Sequence, residues 1–252
     1  MSKAKPPTIS YAFGDSALAR ERLGIVAATF EAPTQRLLAD LPPYQPRYVL
    51  DLGCGPGYTS ALLRARFPHS EVTGLDALPA MVEQARARVP GAWFALADVT
   101  APLRLPADVA YSRLLLGHLP DPERVLARWV VAIRPPGYLV CEEPVQYRSD
   151  EELFRRYEAA VTAVVAARGG ILWAAPALDR DPPGCERSID RVVEHPVPAG
   201  RAAAMFWRNA VEWGDEVRDA ADLIDRLRAV ERENPDEVVM WELRQTVWSR
   251  RG

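Results

Sequence analysis

Cysteine is scarce in this chain and scattered: Cys54, Cys141 and Cys185 are the three in 252 residues. That excludes a disulfide framework and a thiolate zinc site, and leaves buried or loop thiols as the reading of all three. His, Asp and Glu nowhere cluster at ligand spacing, so no metal is expected. An excess of basic charge is missing too: at a net −3 the chain has no basic footprint for nucleic acid or an anionic membrane. No uninterrupted apolar run could span a bilayer. The opening MSKAKPP lacks the apolar stretch of a signal peptide, so cytoplasmic residence is the expectation. Internal repeats and low-complexity tracts are absent.

What the chain does have is apolar residues, 48% of the total, enough for one large α/β domain with connections stiffened by 23 prolines. The stretch 48–63, YVLDLGCGPGYTSALL, reads as a short buried strand, a turn carrying Gly53, Gly55 and Gly57, and a helix opening near Tyr58. Such glycines let the backbone turn sharply and approach a bound molecule. The spacing is not that of the dinucleotide fingerprint, whose third glycine would fall at Tyr58. Asp51 at the mouth of the turn would repel a pyrophosphate and welcome an amino group or a sulfonium. EVTGLD then forms a second strand ending in Asp76, roughly 20 residues past the turn, where a doubly wound fold places the acid that accepts both ribose hydroxyls.

DLGCGPG followed by these segments resembles the class I S-adenosylmethionine-dependent methyltransferases of the small-molecule group. The resemblance implies a Rossmann-like, doubly wound α/β fold with a seven-stranded, mostly parallel sheet. It also implies S-adenosyl-L-methionine as cofactor and S-adenosyl-L-homocysteine as product. Carried onto this chain, the cofactor would meet Asp51, Gly53, Gly55, Gly57, Asp76, Ala77 and Met81. Asp98, which closes the third strand (93–97), would take the adenine amino group beside Val99. Arg113, at the tip of the fourth strand (108–112), would touch the methionine end. The fifth strand is GYLVCEEP, where RPPG replaces the RPGG usual before it. SIDRVVEHPV and WELRQTVWSR read as the sixth and seventh, with a helical insert between them.

Four segments are expected: a helical lid over 1–46, the cofactor-binding core over 47–145, a helical roof over 146–186, and the last strands with their insert over 187–252. In the lid, Asp15 would cap one helix and Pro33 would start a second, with Tyr11 or Arg22 facing the site. The reaction implied is methylation of a small organic molecule at oxygen or nitrogen. His118, just past the fourth strand, is the candidate general base, with Glu142 or Glu143 and Tyr147 behind it. Strand alternation lets only one of the two glutamates face the crevice. Trp173, Phe206, Trp207 and Trp213 hint at an aromatic acceptor pocket. Asp181-Pro182-Pro183 fails as a nucleic-acid methylase signature because Gly184 stands where the base-stacking aromatic belongs. Two other readings stay open: a protein that binds the cofactor without transferring methyl, and a nicotinamide dehydrogenase.

Overall fold

Five apolar runs make the parallel part of one sheet. In this computed structural model, which describes residues 13, 14 and 16–251, they are β1 (Tyr48–Leu52), β2 (Glu71–Asp76), β3 (Trp93–Leu96), β4 (Ala107–Arg113) and β5 (Ile133–Arg148). Two long strands, β6 (Cys185–Pro198) and β7 (Val238–Arg250), complete the order β3-β2-β1-β4-β5-β7-β6. β7 runs antiparallel to both β5 and β6. The expected seven-stranded, doubly wound sheet with an antiparallel edge is therefore what forms.

Successive strand residues point to opposite faces, and both faces are covered. Val49 packs with Leu63 of α2 (Tyr58–Arg66), with Phe67 at the C-cap of that helix, and with Leu37 and Leu38 of α1 (Ala17–Asp40). Leu50 belongs to the other face, with Leu126 and Trp129 of a helix at Pro122–Val131. A third core gathers Tyr147 of β5 with Phe154, Tyr157, Phe206, Trp213 and Leu227, from helices at Glu152–Ala167, Ala199–Trp213 and Ala220–Glu233. In chain order, counting Pro79–Arg88 as α3, these four helices are α4, α5, α6 and α7. The pair α6–α7 lies between β6 and β7, as the interrupted hairpin requires. Among the described residues no helix is long and apolar enough to cross a membrane.

The N-terminal segment corrects one expectation. Instead of two helices parted at Pro33, α1 runs unbroken with Pro33 inside it. Proline lacks an N–H, so the carbonyl four residues back, that of Thr29, loses its helical partner. His195 of β6 replaces it, Nε2 lying 2.7 Å from Thr29 O. The cap is Ser16, whose Oγ accepts from Ala19 N at 3.1 Å. Asp15 and Tyr11 lie outside the described residues.

Candidate active site

Strand order reverses between β1 and β4, which opens a crevice at the carboxyl ends of the parallel strands. A cavity of about 270 Å³ fills it, walled by strand tips on one side and by α1, α5, α6 and β7 on the other.

On the strand side, Gly53 N and Cys54 N donate to Leu75 O at 2.8 and 3.0 Å, which ties the glycine turn to β2. Gly55 has φ +52°, and a Cβ there would stand in open space. Its missing side chain thus leaves room for a ligand against bare backbone. Asp76 Oδ2 accepts from Gly55 N and Oδ1 from Leu78 N, each at 2.9 Å. Burial pushes this carboxyl up, and those N–H groups oppose the shift. Each oxygen retains lone-pair capacity for a hydroxyl donor. Ala77 and the buried Met81 and Val99 continue the wall. Asp98 sits exposed at the rim, its Oδ1 fixed by Thr100 N at 2.8 Å and Thr100 Oγ1 at 2.6 Å. A carboxylate placed for paired hydroxyls, a buried thioether and a rim acid fit an adenosyl group.

Two of the expected cofactor residues are placed elsewhere. Asp51 is fully buried beneath the turn and does not line the cavity; it accepts from Thr59 Oγ1 at 2.7 Å and Ser60 Oγ at 2.5 Å. Its side chain faces the start of α2, where the helix dipole favours an acid, so it braces the turn from behind. Burial lifts its carboxyl to about 6, against the pull of those hydroxyls. Gly57 is the N-cap of α2 and also lies outside the cavity wall. With φ +86°, a Cβ there would come 3.0 Å from Ala85 Cα, so the glycine serves the packing of α2 on α3.

At the tip of β4, Arg113 lines the cavity and donates to Thr34 Oγ1 at 3.0 Å. Thr34 Oγ1 and the Tyr111 hydroxyl both reach Glu142 Oε1, at 2.8 and 2.5 Å, and Gln245 Nε2 reaches Oε2 at 2.8 Å. This buried network pins α1 to β4, β5 and β7, and it fixes Arg113. Alternation sends the neighbouring Glu143 into the cavity wall, where Oε1 accepts from Leu115 N and Leu116 N, each at 2.9 Å. Burial raises its carboxyl to about 7 despite those two donors.

His118, in a short 3₁₀ turn after β4, lines the cavity with its ring edge-on to Phe13 at 5.2 Å. Burial, helped by the charge of Arg22, lowers it to about 4, so it enters the site as neutral imidazole and a weak base. That tells against the role of base expected from its position. Arg22 faces the cavity too, 4.7 Å over the Phe13 ring. The Tyr147 hydroxyl donates to Phe154 O at 2.8 Å, which makes it a wall residue instead of a base. Of the four suggested aromatics, Trp173 and Phe206 line the cavity. Trp207 does not; it lies under the Arg208 and Arg228 guanidiniums, and Trp213 stacks behind Tyr157. Asn209 and Trp241 join the wall without having been singled out in the sequence, where they sit in segments that read simply as helix and strand. Asp181 accepts from Trp248 Nε1 at 2.8 Å and pairs with Arg187, a structural loop.

A reversed strand order, a glycine turn and acidic strand tips around one crevice define the class I S-adenosylmethionine-dependent methyltransferases, and comparison with known proteins agrees. A trans-aconitate 2-methyltransferase of Methylobacterium radiotolerans is 38% identical over 201 residues, 78% of this chain and 73% of that protein. The enzyme of the same name from Paracidovorax citrulli is 34% identical over 188 residues, 69% of this chain and 72% of its own. Among solved structures, a mycolic acid cyclopropane synthase complexed with S-adenosylhomocysteine shares the fold, with a TM-score of 0.58 at 13% identity, over 87% of this chain and 84% of that one. Residues 24–178 match the methyltransferase domain family, and the chain belongs to it. It is an S-adenosylmethionine-dependent methyltransferase of small molecules.

Proposed function

We propose that the two halves of the cavity divide the work. Gly53, Gly55, Asp76, Ala77, Met81, Asp98 and Val99 would hold the adenosyl group, with Arg113 at its methionine end. The acceptor would lie in the aromatic half between α1, α5, α6 and β7. The bound cofactor supplies an activated methyl on a sulfonium, an excellent leaving group. The protein's part is to orient the acceptor in line and exclude water. The names of the relatives favour an organic acid as acceptor, hence transfer to oxygen. The observation that carries this reading is one continuous cavity, lined at one end by the glycine turn and Asp76 and at the other by aromatic side chains.

The test is calorimetry with S-adenosylhomocysteine. Binding is expected in the wild type. Asp76→Asn should weaken it by about 1.5–3 kcal/mol, the scale of a charge-assisted hydrogen bond. Equal affinity in the variant would refute the placement of the ribose.

A further inference from the structure

The carboxyl of Glu143 stands where the two proposed halves of the cavity meet. It follows Glu142, which pairs in register with Arg113 at the tip of β4, and Tyr147 of the aromatic half comes four residues later on the same strand. Glu143 is 1% exposed and lines the cavity. Its two oxygens have different surroundings. Oε1 accepts from Leu115 N and Leu116 N, each at 2.9 Å. Among the described residues Oε2 takes no hydrogen bond. It nevertheless keeps some accessible surface, unlike Asn209 Oδ1 and Trp241 Nε1, which also meet no partner but are sealed within the packing. The space it opens on is the cavity this side chain lines.

A carboxyl so placed is held better neutral than charged. Among the described residues no cation pairs with it: Arg244, opposite in register on β7, is engaged by Asp179 and Asp190. Burial raises the carboxyl to about 7, opposed by the two N–H groups and helped by the charge of Glu142. Because Oε1 already accepts from two donors, the proton of the neutral acid belongs on Oε2, where it aims a donor into the cavity.

Resting on the reading of an organic acid as acceptor, we propose that Glu143 holds that acid as a neutral donor. Its Oε2–H bonds one oxygen of the acceptor carboxylate, and the other oxygen takes the methyl group. That oxygen forms its bond to the methyl carbon as the carbon–sulfur bond breaks and its electron pair goes to sulfur. A carboxylate and a sulfonium become an ester and a thioether, and the proton stays on Glu143 throughout. Ionised, the same side chain loses its donor and sets a second negative charge against the acceptor.

Acceptor binding should therefore weaken as pH rises through the titration of Glu143. The groups around it do not blur this. His118, in the turn after β4, is lowered to about 4 by burial and by Arg22 of α1. Burial raises the Cys141 thiol and the hydroxyls of Tyr147 and, on α5, Tyr157, so none of these changes charge near neutrality. Arg22 and Arg113 stay charged. Asp76 on β2 is raised, and Asp51 beneath the turn stands at about 6, both mainly by burial; a variant at 143 shares both with the wild type. The acceptor's own carboxylates, ordinarily titrating at roughly 4, are ionised throughout.

The experiment uses the full-length protein saturated with S-adenosylhomocysteine, and trans-aconitate, cinnamate and octanoate as probes. Binding is read by calorimetry in two buffers of different ionisation enthalpy, and methyl transfer to the same acids is followed with labelled S-adenosylmethionine. For at least one acid, wild-type affinity should fall roughly tenfold per pH unit above about pH 7, with about one proton taken up on binding near pH 8. Glu143→Gln offers Nε2–H in place of Oε2–H and keeps Oε1 for the two backbone donors. It should bind and methylate that acid within a few-fold of the wild type near pH 6, with no fall above neutrality and no proton uptake. An inactive Glu143→Gln enzyme that still binds S-adenosylhomocysteine would make Glu143 a base and overturn the inference. A variant with the wild-type pH dependence would make it a brace for the loop after β4, and would overturn it equally. If S-adenosylhomocysteine binds but none of the three acids is bound or methylated, the organic-acid reading falls and takes the inference with it. Absence of S-adenosylhomocysteine binding would overturn the cofactor placement on which both rest.

Discussion

Replacing Glu143 by glutamine should stabilise the protein in neutral and alkaline solution. Its carboxyl stands at about 7 in the fold against an ordinary 4.5, because burial penalises the charged form. Between those values the folded chain keeps a proton that the unfolded chain has lost. Stability then falls as pH rises, by about 1.4 kcal/mol per pH unit, and the loss accumulates to about 3 kcal/mol by neutrality. Glutamine has the same shape, and its Oε1 can still accept from Leu115 N and Leu116 N, the two bonds made at 2.9 Å. The variant should therefore match the wild type near pH 4 and exceed it by about 3 kcal/mol near pH 8. Asp51, raised to about 6, titrates in the same range but is common to both proteins and cancels in the difference. Urea unfolding of both proteins across this range reads the quantity directly. A stability difference that does not change with pH would refute the reasoning, and a variant less stable at pH 8 would show that the charged form is favoured here.

Other expectations test separate parts of the structure. Gly55→Ala places a methyl in the ligand space at φ +52°; stability should drop by about 1 kcal/mol and S-adenosylhomocysteine affinity by more, in calorimetry. Thr34→Val removes the hydroxyl shared by Glu142 and Arg113, and denaturant unfolding should register a loss of about 1–3 kcal/mol. His195→Leu would leave the Thr29 carbonyl unpaired beside Pro33, again costing about 1–3 kcal/mol, with cofactor affinity little changed. For His118→Ala, kcat should fall less than the roughly 10²-fold typical of a lost general base. A larger fall accompanied by loss of an inflection in the pH–rate profile would restore that role to the imidazole.

Much of the cavity's strand side could be read from the chain because charged residues there close apolar runs, and in a parallel sheet the end of a run is the edge of the crevice. Asp76, Asp98 and Arg113 announced themselves that way. Asp51 did not, since it lies within its strand and the residues that claim its side chain, Thr59 and Ser60, are fixed only once α2 has packed. Pro33 misled for a related reason: what lets the helix continue through it is a histidine more than 150 positions later. The wall facing the strand tips was the least legible part. Arg22 was named in advance, but Tyr157, Asn209 and Trp241 come from three separate elements, and no local periodicity distinguishes a residue facing a cavity from one facing a core.

The methyltransferase domain model matches residues 24–178, whereas Arg22, Phe206, Asn209 and Trp241, which line the cavity, stand outside that match. On the reading proposed above, the donor end of the cavity draws on this middle segment, and the acceptor end draws partly on its two flanks. Grafting the flanks of another member onto this middle would exchange one clientele for another while the donor chemistry carried on undisturbed.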